Sequence, residues 1–182
     1  GSGNPEAAPV LVEVLGYNNP GAAVAAVDGL VAIGQAAVPA LLELDPGNYG
    51  ARAWAVRALA GIGDVRGLEL LEDALGRDVA ASVRRAAAKG LGQLLLDDLE
   101  AAEQQAVRRR CLKALAAAGA DGEWVVRYAV AVGLESLAME LEQGDLRQQA
   151  IQSLQTLAEA TQEPTAVVRC RARLALENLQ QP

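Results

Sequence analysis

Asp78, Asp121 and Glu163 each stand six residues ahead of an arginine: Arg84, Arg127 and Arg169. The spacing has a direct chemical use. A carboxylate at a helix start accepts hydrogen bonds from free N–H groups and meets the positive end of the helix dipole. A guanidinium about one and a half turns further in can reach its own acid or that of a neighbouring turn through a charge-assisted pair. Spacing alone leaves two readings open. One is a structural acid–arginine ladder linking successive units; the other is an arginine held for an acidic ligand. The middle copy is the richest, with Asp121, Glu123, Trp124, Arg127 and Tyr128 close together. On a helix Trp124, Arg127 and Tyr128 stand three and four apart and can share a face. Tyr49 and Trp54 form a second, weaker cluster.

Several chemistries are excluded by what the chain lacks. With no histidine, a Ser-His or Cys-His nucleophilic system cannot be built within it. Its two cysteines, Cys111 and Cys170, make neither a disulfide framework nor a metal motif, so no metal site is expected. Each sits in an apolar helical stretch and is expected to be a small buried hydrophobe. Gly61-Ile62-Gly63 resembles a repeat ending rather than a phosphate loop. Net charge is −7, a poor match for nucleic acid, which needs a concentrated positive field. The one basic run, Arg108-Arg109-Arg110, falls in a helix, where successive residues point apart and a solvated face is expected.

These residues sit in a repeated unit. Segments ending near Gly34, Gly63, Gly92, Leu137 and Leu179 superpose so that Ala23, Arg52, Arg84, Arg127 and Arg169 correspond, at spacings of 29, 32, 43 and 42. Between them lie stretches with helical period: 8–15, 36–44, 68–75, 99–118 and 146–158. Turn signals such as Asn18-Asn19-Pro20-Gly21 and Asp45-Pro46-Gly47-Asn48 separate them. The pattern predicts an all-α solenoid of about ten helices in five hairpins, with no strand run. The chain is 52% hydrophobic but 3% aromatic, so the core must be Ala, Leu and Val. No apolar run long enough to span a membrane is expected. One domain is expected over 4–182, with Gly1-Ser2-Gly3 as a cloning remnant or trimmed start.

The unit Val-Arg-x-Ala-Ala-x-x-x-Leu-Gly, seen at 83–92, resembles the short HEAT-like repeats grouped around phycobilin lyases. The phrase Trp124-Val125-Val126-Arg127-Tyr128-Ala129 is similar to one in the E/F-type phycobilin lyases of cyanobacteria, and the length suits the smaller, F-type subunit. This resemblance implies a heterodimer with a larger E-type subunit. It implies covalent attachment, or transfer, of phycocyanobilin to a cysteine of the phycocyanin alpha subunit through a thioether, in the cyanobacterial cytoplasm. The bilin is then a substrate and no cofactor is expected. The nucleophile belongs to the acceptor, so the absence of histidine is no obstacle. A bilin carries two propionates and conjugated rings, which suit arginine pairing and aromatic stacking. On that ground Asp121, Glu123, Trp124, Arg127 and Tyr128 are the bilin-binding candidates, and Tyr49 and Trp54 weaker ones. Trp124 and Tyr128 could equally fill the seam between repeats. The alternative function is a HEAT-repeat adaptor or bilin-binding chaperone. An iron hydroxylase on the same repeats is excluded by the missing histidine, and a DNA glycosylase is disfavoured by charge.

Overall fold

Asn19 and Asn48 each accept, through Oδ1, the backbone N–H three residues on, at 3.1 Å, and so open two of the helices. The computed structural model describes residues 3–180 and holds ten α-helices among them. The expectation about Gly1 and Ser2, and the last two positions of the expected domain, lie outside the described residues. The helices are α1 (Ala8–Val14), α2 (Pro20–Ile33), α3 (Val38–Leu42), α4 (Tyr49–Ile62), α5 (Leu68–Arg77), α6 (Ala81–Leu91), α7 (Ala101–Ala118), α8 (Trp124–Met139), α9 (Asp145–Ala158) and α10 (Ala166–Gln180). They pair as five hairpins, α1–α2 through α9–α10. Among the described residues there is no strand; a single parallel bridge pairs Asp64 with Leu95, whose N–H donates to the Gly63 carbonyl at 2.8 Å.

The repeat register is visible in three dimensions. Ala23, Arg52, Arg84, Arg127 and Arg169 are each the fourth residue of their helix. The seventh residue is Ala26, Ala55, Ala87, Val130 or Ala172, and all five are buried. The eleventh is a leucine in every copy: Leu30, Leu59, Leu91, Leu134 and Leu176. Each fully buried leucine contributes ~1.5–3 kcal/mol. One hydrophobic cluster runs from Ala8 to Ala175 without a break.

The even-numbered helices pack on one another in order, α2 to α10, much more closely than the odd-numbered ones do. A two-layer stack bends toward its closer-packed layer, so the even helices line the inner face and the odd helices the outer. Small residues permit that approach. A Cβ on Gly133 would stand 2.4 Å from the Ala88 carbonyl oxygen, and one on Gly92 2.3 Å from that of Gly133.

Residues 20–42 have a mean hydropathy of 1.7 over a span-length window and would pass for a membrane segment by composition. The chain turns within it. Gly34, at φ 75°, ends α2 after 14 residues, and α3 starts the next hairpin. At ~1.5 Å per residue α2 is about 21 Å long, short of a ~30 Å hydrocarbon core.

Candidate functional site

The acids and arginines of the repeat form an inter-repeat chain. Arg84 pairs with Asp121 of the next hairpin (Nε–Oδ2 2.7 Å, Nη2–Oδ1 3.0 Å). Arg127 pairs in the same way with Glu163 (Nε–Oε2 2.6 Å, Nη2–Oε1 2.8 Å). Each arginine also donates through Nη1 to the backbone carbonyl of its own repeat's acid: Arg84 to Asp78, Arg127 to Asp121, Arg169 to Glu163. The acids do not cap the helices directly. They lie three residues ahead and accept the N–H two residues on, from Ala80, Glu123 and Thr165, each at 2.8 Å. Among the described residues the ladder therefore has two carboxylate rungs, Asp121 and Glu163. Arg52 pairs instead with Asp73 on α5. The Arg84 guanidinium holds the Asp121 carboxyl below its usual range, and Arg127 does the same for Glu163.

A second link is Glu135, buried in α8, which pairs with Arg171 and accepts from Asn178 Nδ2 at 2.6 Å, both on α10. Glu177, its counterpart in the repeat, is exposed and makes no ion pair among the described residues.

Trp124 and Arg127 sit where the outer layer opens between α7 and α9. A cavity of about 710 Å³ is floored by Leu115, Val130, Leu134 and Leu157, and its lining also includes Asp121, Trp124 and Arg127. Trp124 is 46% exposed. Glu123 is exposed between two lining residues, Gly122 and Trp124. Tyr128, one turn on, is half-buried against the core and outside this lining, so the expected shared face of Trp124, Arg127 and Tyr128 is split. The cavity continues, through shared walls at Ala116, Ser153 and Thr156, into a second of about 590 Å³ lined by Arg109, Lys113, Gln149 and Gln152. Together they form one groove along the outer layer.

The groove's charges were not all legible in sequence. Arg127 makes five hydrogen bonds, to Glu163 (two), Thr165 Oγ1, and the Asp121 and Gly122 carbonyls, one for each of its N–H donors. It is a rung first; a ligand carboxylate would have to displace Glu163. Arg109 and Lys113 lie in the groove with no ion pair among the described residues. In sequence Arg109 belongs to the basic run 108–110, which reads as solvated, and nothing singles out Lys113. Of that run, Arg110 is held by Glu72 of α5, and only the hairpin stacking brings those two together. Tyr49 is 79% exposed beside a separate cavity with Arg52 and Asp73, whereas Trp54 is half-buried with the Arg57 guanidinium 4.4 Å over its ring.

Among the described residues no cysteine lines the groove. The Ser153 and Thr156 hydroxyls donate to carbonyls four residues back in their own helix. Cys111 is buried, and burial pushes its thiol up to about 12. Cys170 departs from the expectation of a buried hydrophobe: it is exposed, because the fifth residue of an inner-layer helix faces away from the core. A thiol reagent at pH 8 is expected to label one cysteine in the native protein and two after denaturation. Two labelled in the native state would contradict this burial. The site can bind and orient a ligand.

The "PBS lyase HEAT-like repeat" family model matches residues 51–77. The chain is 52% identical to the "Phycocyanin alpha phycocyanobilin lyase CpcF" of Synechocystis sp. (strain PCC 6803), over 97% of this chain and 81% of that protein. It is 50% identical to a "Phycocyanobilin lyase subunit beta" of Pseudanabaena tenuis (strain PCC 7409), over 96% of this chain and 63% of that protein. Among solved structures it matches a chain from the complex of CpcE and CpcF of phycocyanin lyase from Nostoc sp. PCC 7120. The TM-score is 0.84 at 43% identity, covering 94% of this chain and 99% of that one.

Proposed function

The chain belongs to the F-type, or beta, phycocyanobilin lyase subunits, and on that premise we propose that it is the smaller subunit of a heterodimeric lyase that attaches phycocyanobilin to a cysteine of the phycocyanin alpha subunit. The bond is a thioether to the acceptor's sulfur, the bilin is substrate, and no resident cofactor is needed. The reaction takes place in the cyanobacterial cytoplasm, beside the phycobilisomes it supplies.

The outer-layer groove carries this reading. It is long and apolar-floored, with an aromatic ring at one end and, at the other, two cations that have no ion pair among the described residues. An open-chain tetrapyrrole with two propionates matches each feature. Trp124 stacks on a conjugated ring. Arg109 and Lys113 take the propionates. Glu123, exposed and without an ion pair among the described residues, accepts from pyrrole N–H groups. Asp121 and Arg127 set the groove's wall through their ladder pairs. Holding the bilin beside the incoming thiolate turns a bimolecular encounter into an oriented one, worth ~7–11 kcal/mol in favourable systems. The larger E-type subunit covers the groove.

Two results test this reading. The chain should co-elute with the larger subunit, and the pair should bind phycocyanobilin more tightly than either alone. In that pair Trp124→Ala removes a stacking contact worth ~0.5–1.5 kcal/mol, so bilin affinity by absorbance titration is expected to fall roughly 2- to 12-fold. Trp124→Phe should keep most of it. Unchanged affinity in Trp124→Ala would place the bilin elsewhere.

A further inference from the structure

Charge is segregated between the layers. The five inner-layer helices carry nine of the chain's 16 basic residues and only three of its 23 acids. In a protein of net charge −7 this makes the inner face the basic side. Several of these arginines are spent inside the fold: Arg52 on Asp73, Arg84 on Asp121, Arg127 on Glu163 and Arg171 on Glu135. Three neighbouring cations are not. Arg57 on α4, and Arg85 and Lys89 on α6, have no ion pair among the described residues, and neither helix contains an acid.

Their positions place them together. Arg85 is the fifth residue of its helix, and Arg57 and Lys89 are the ninth of theirs. The core uses the seventh and eleventh, so at 100° per residue the fifth and ninth point to the opposite side. All ten residues at these two places in the five inner helices are at least partly exposed. Arg57 is half-buried, its guanidinium over Trp54, which leaves its edge free to pair. Beside the cations, on the following hairpins, the same two places hold Tyr128, Val132 and Leu174.

We propose that this inner-face patch, Arg57, Arg85 and Lys89 flanked by Tyr128, Val132 and Leu174, docks the acceptor protein through a carboxylate-rich surface. The proposal rests on the lyase reading given above and names the surface by which that reaction's protein substrate is held. An acceptor must arrive quickly and leave once modified. Exposed complementary charge suits that, because it raises encounter rates more than it lengthens residence. A permanent partner calls for large apolar area instead. The apolar flank also fits a protein surface better than a phosphate backbone, which needs many cations in a row.

The experiment measures association of the lyase heterodimer with unmodified phycocyanin alpha subunit, without bilin, over a salt series. Arg85→Glu with Lys89→Glu is expected to lower the association rate at least tenfold at low salt and to flatten its salt dependence. Arg85→Gln with Lys89→Gln should fall in between. With bilin added and acceptor saturating, the attachment rate should stay at the wild-type value. An association rate unchanged by charge reversal overturns the proposal. So does loss of co-elution with the larger subunit in these variants, which would assign the patch to that interface. A wild-type heterodimer that binds acceptor in the expected salt-dependent way yet attaches no bilin would sink the lyase reading and leave the docking surface standing.

Discussion

Replacing Glu163 by alanine is expected to lower the melting temperature by on the order of 10 °C. The carboxylate is 2% exposed, yet it pairs twice with Arg127, accepts the Thr165 N–H and orders the turn into α10. Removing it leaves a guanidinium whose side chain is 11% exposed without its counter-ion. Breaking one side of a buried pair costs ~3–5 kcal/mol, and each kcal/mol moves the melting point by about 2–4 °C at this size. The pH dependence has a definite sign. Arg127 lowers the Glu163 carboxyl below its reference value of 4.5. A group depressed in the folded state stabilises fully above its unfolded value, and that stabilisation fades as pH falls through the folded one. Wild type and Glu163→Gln should therefore differ most at neutral pH and converge below about pH 4.5. Melting temperatures followed from pH 7 to pH 3 check both statements; a gap that widens on acidification contradicts them.

Gly133→Ala is expected to destabilise by about 3 kcal/mol, at the upper end of overpacking costs. A glycine in mid-helix ordinarily costs ~0.5–1 kcal/mol relative to alanine, so propensity alone favours the substitution. Contact decides otherwise. The new Cβ would lie 2.4 Å from the Ala88 carbonyl oxygen, and backbone cannot rotate aside as a side chain can. α6 and α8 must separate. Gly76→Ala on α5 is the matched control, because a Cβ there meets nothing within 4 Å. It should gain ~0.5–1 kcal/mol. Denaturant unfolding of the two variants measures both signs, and a stabilised Gly133→Ala would refute the close approach.

Much of this architecture is written in local pattern. The leucines at the eleventh helical place, the glycine at 34 and the asparagine caps at 19 and 48 act within a few residues, so periodicity and turn chemistry expose them. The aligned arginines could be matched from sequence because each is fixed four residues into its helix. Their partners could not: Asp121 is 37 residues from Arg84, and only stacking decides that the next repeat's acid wins over its own. The same limit hid the groove. Arg109 and Lys113 become part of a site only when α9 is laid against α7, and Cys170 reads as core until the face of α10 is known. Trp124 was visible as a rare aromatic on a repeated phrase, although its separation from Tyr128 was not.

Covalent attachment tests the central claim most directly. Phycocyanin alpha subunit and phycocyanobilin are incubated with the larger subunit alone, with this chain alone and with both, and the acceptor is run on a denaturing gel read by zinc-enhanced bilin fluorescence. A bilin-bearing acceptor band with both subunits, and only background with either alone, is the expected result. A band of equal intensity without this chain would contradict its place in the enzyme.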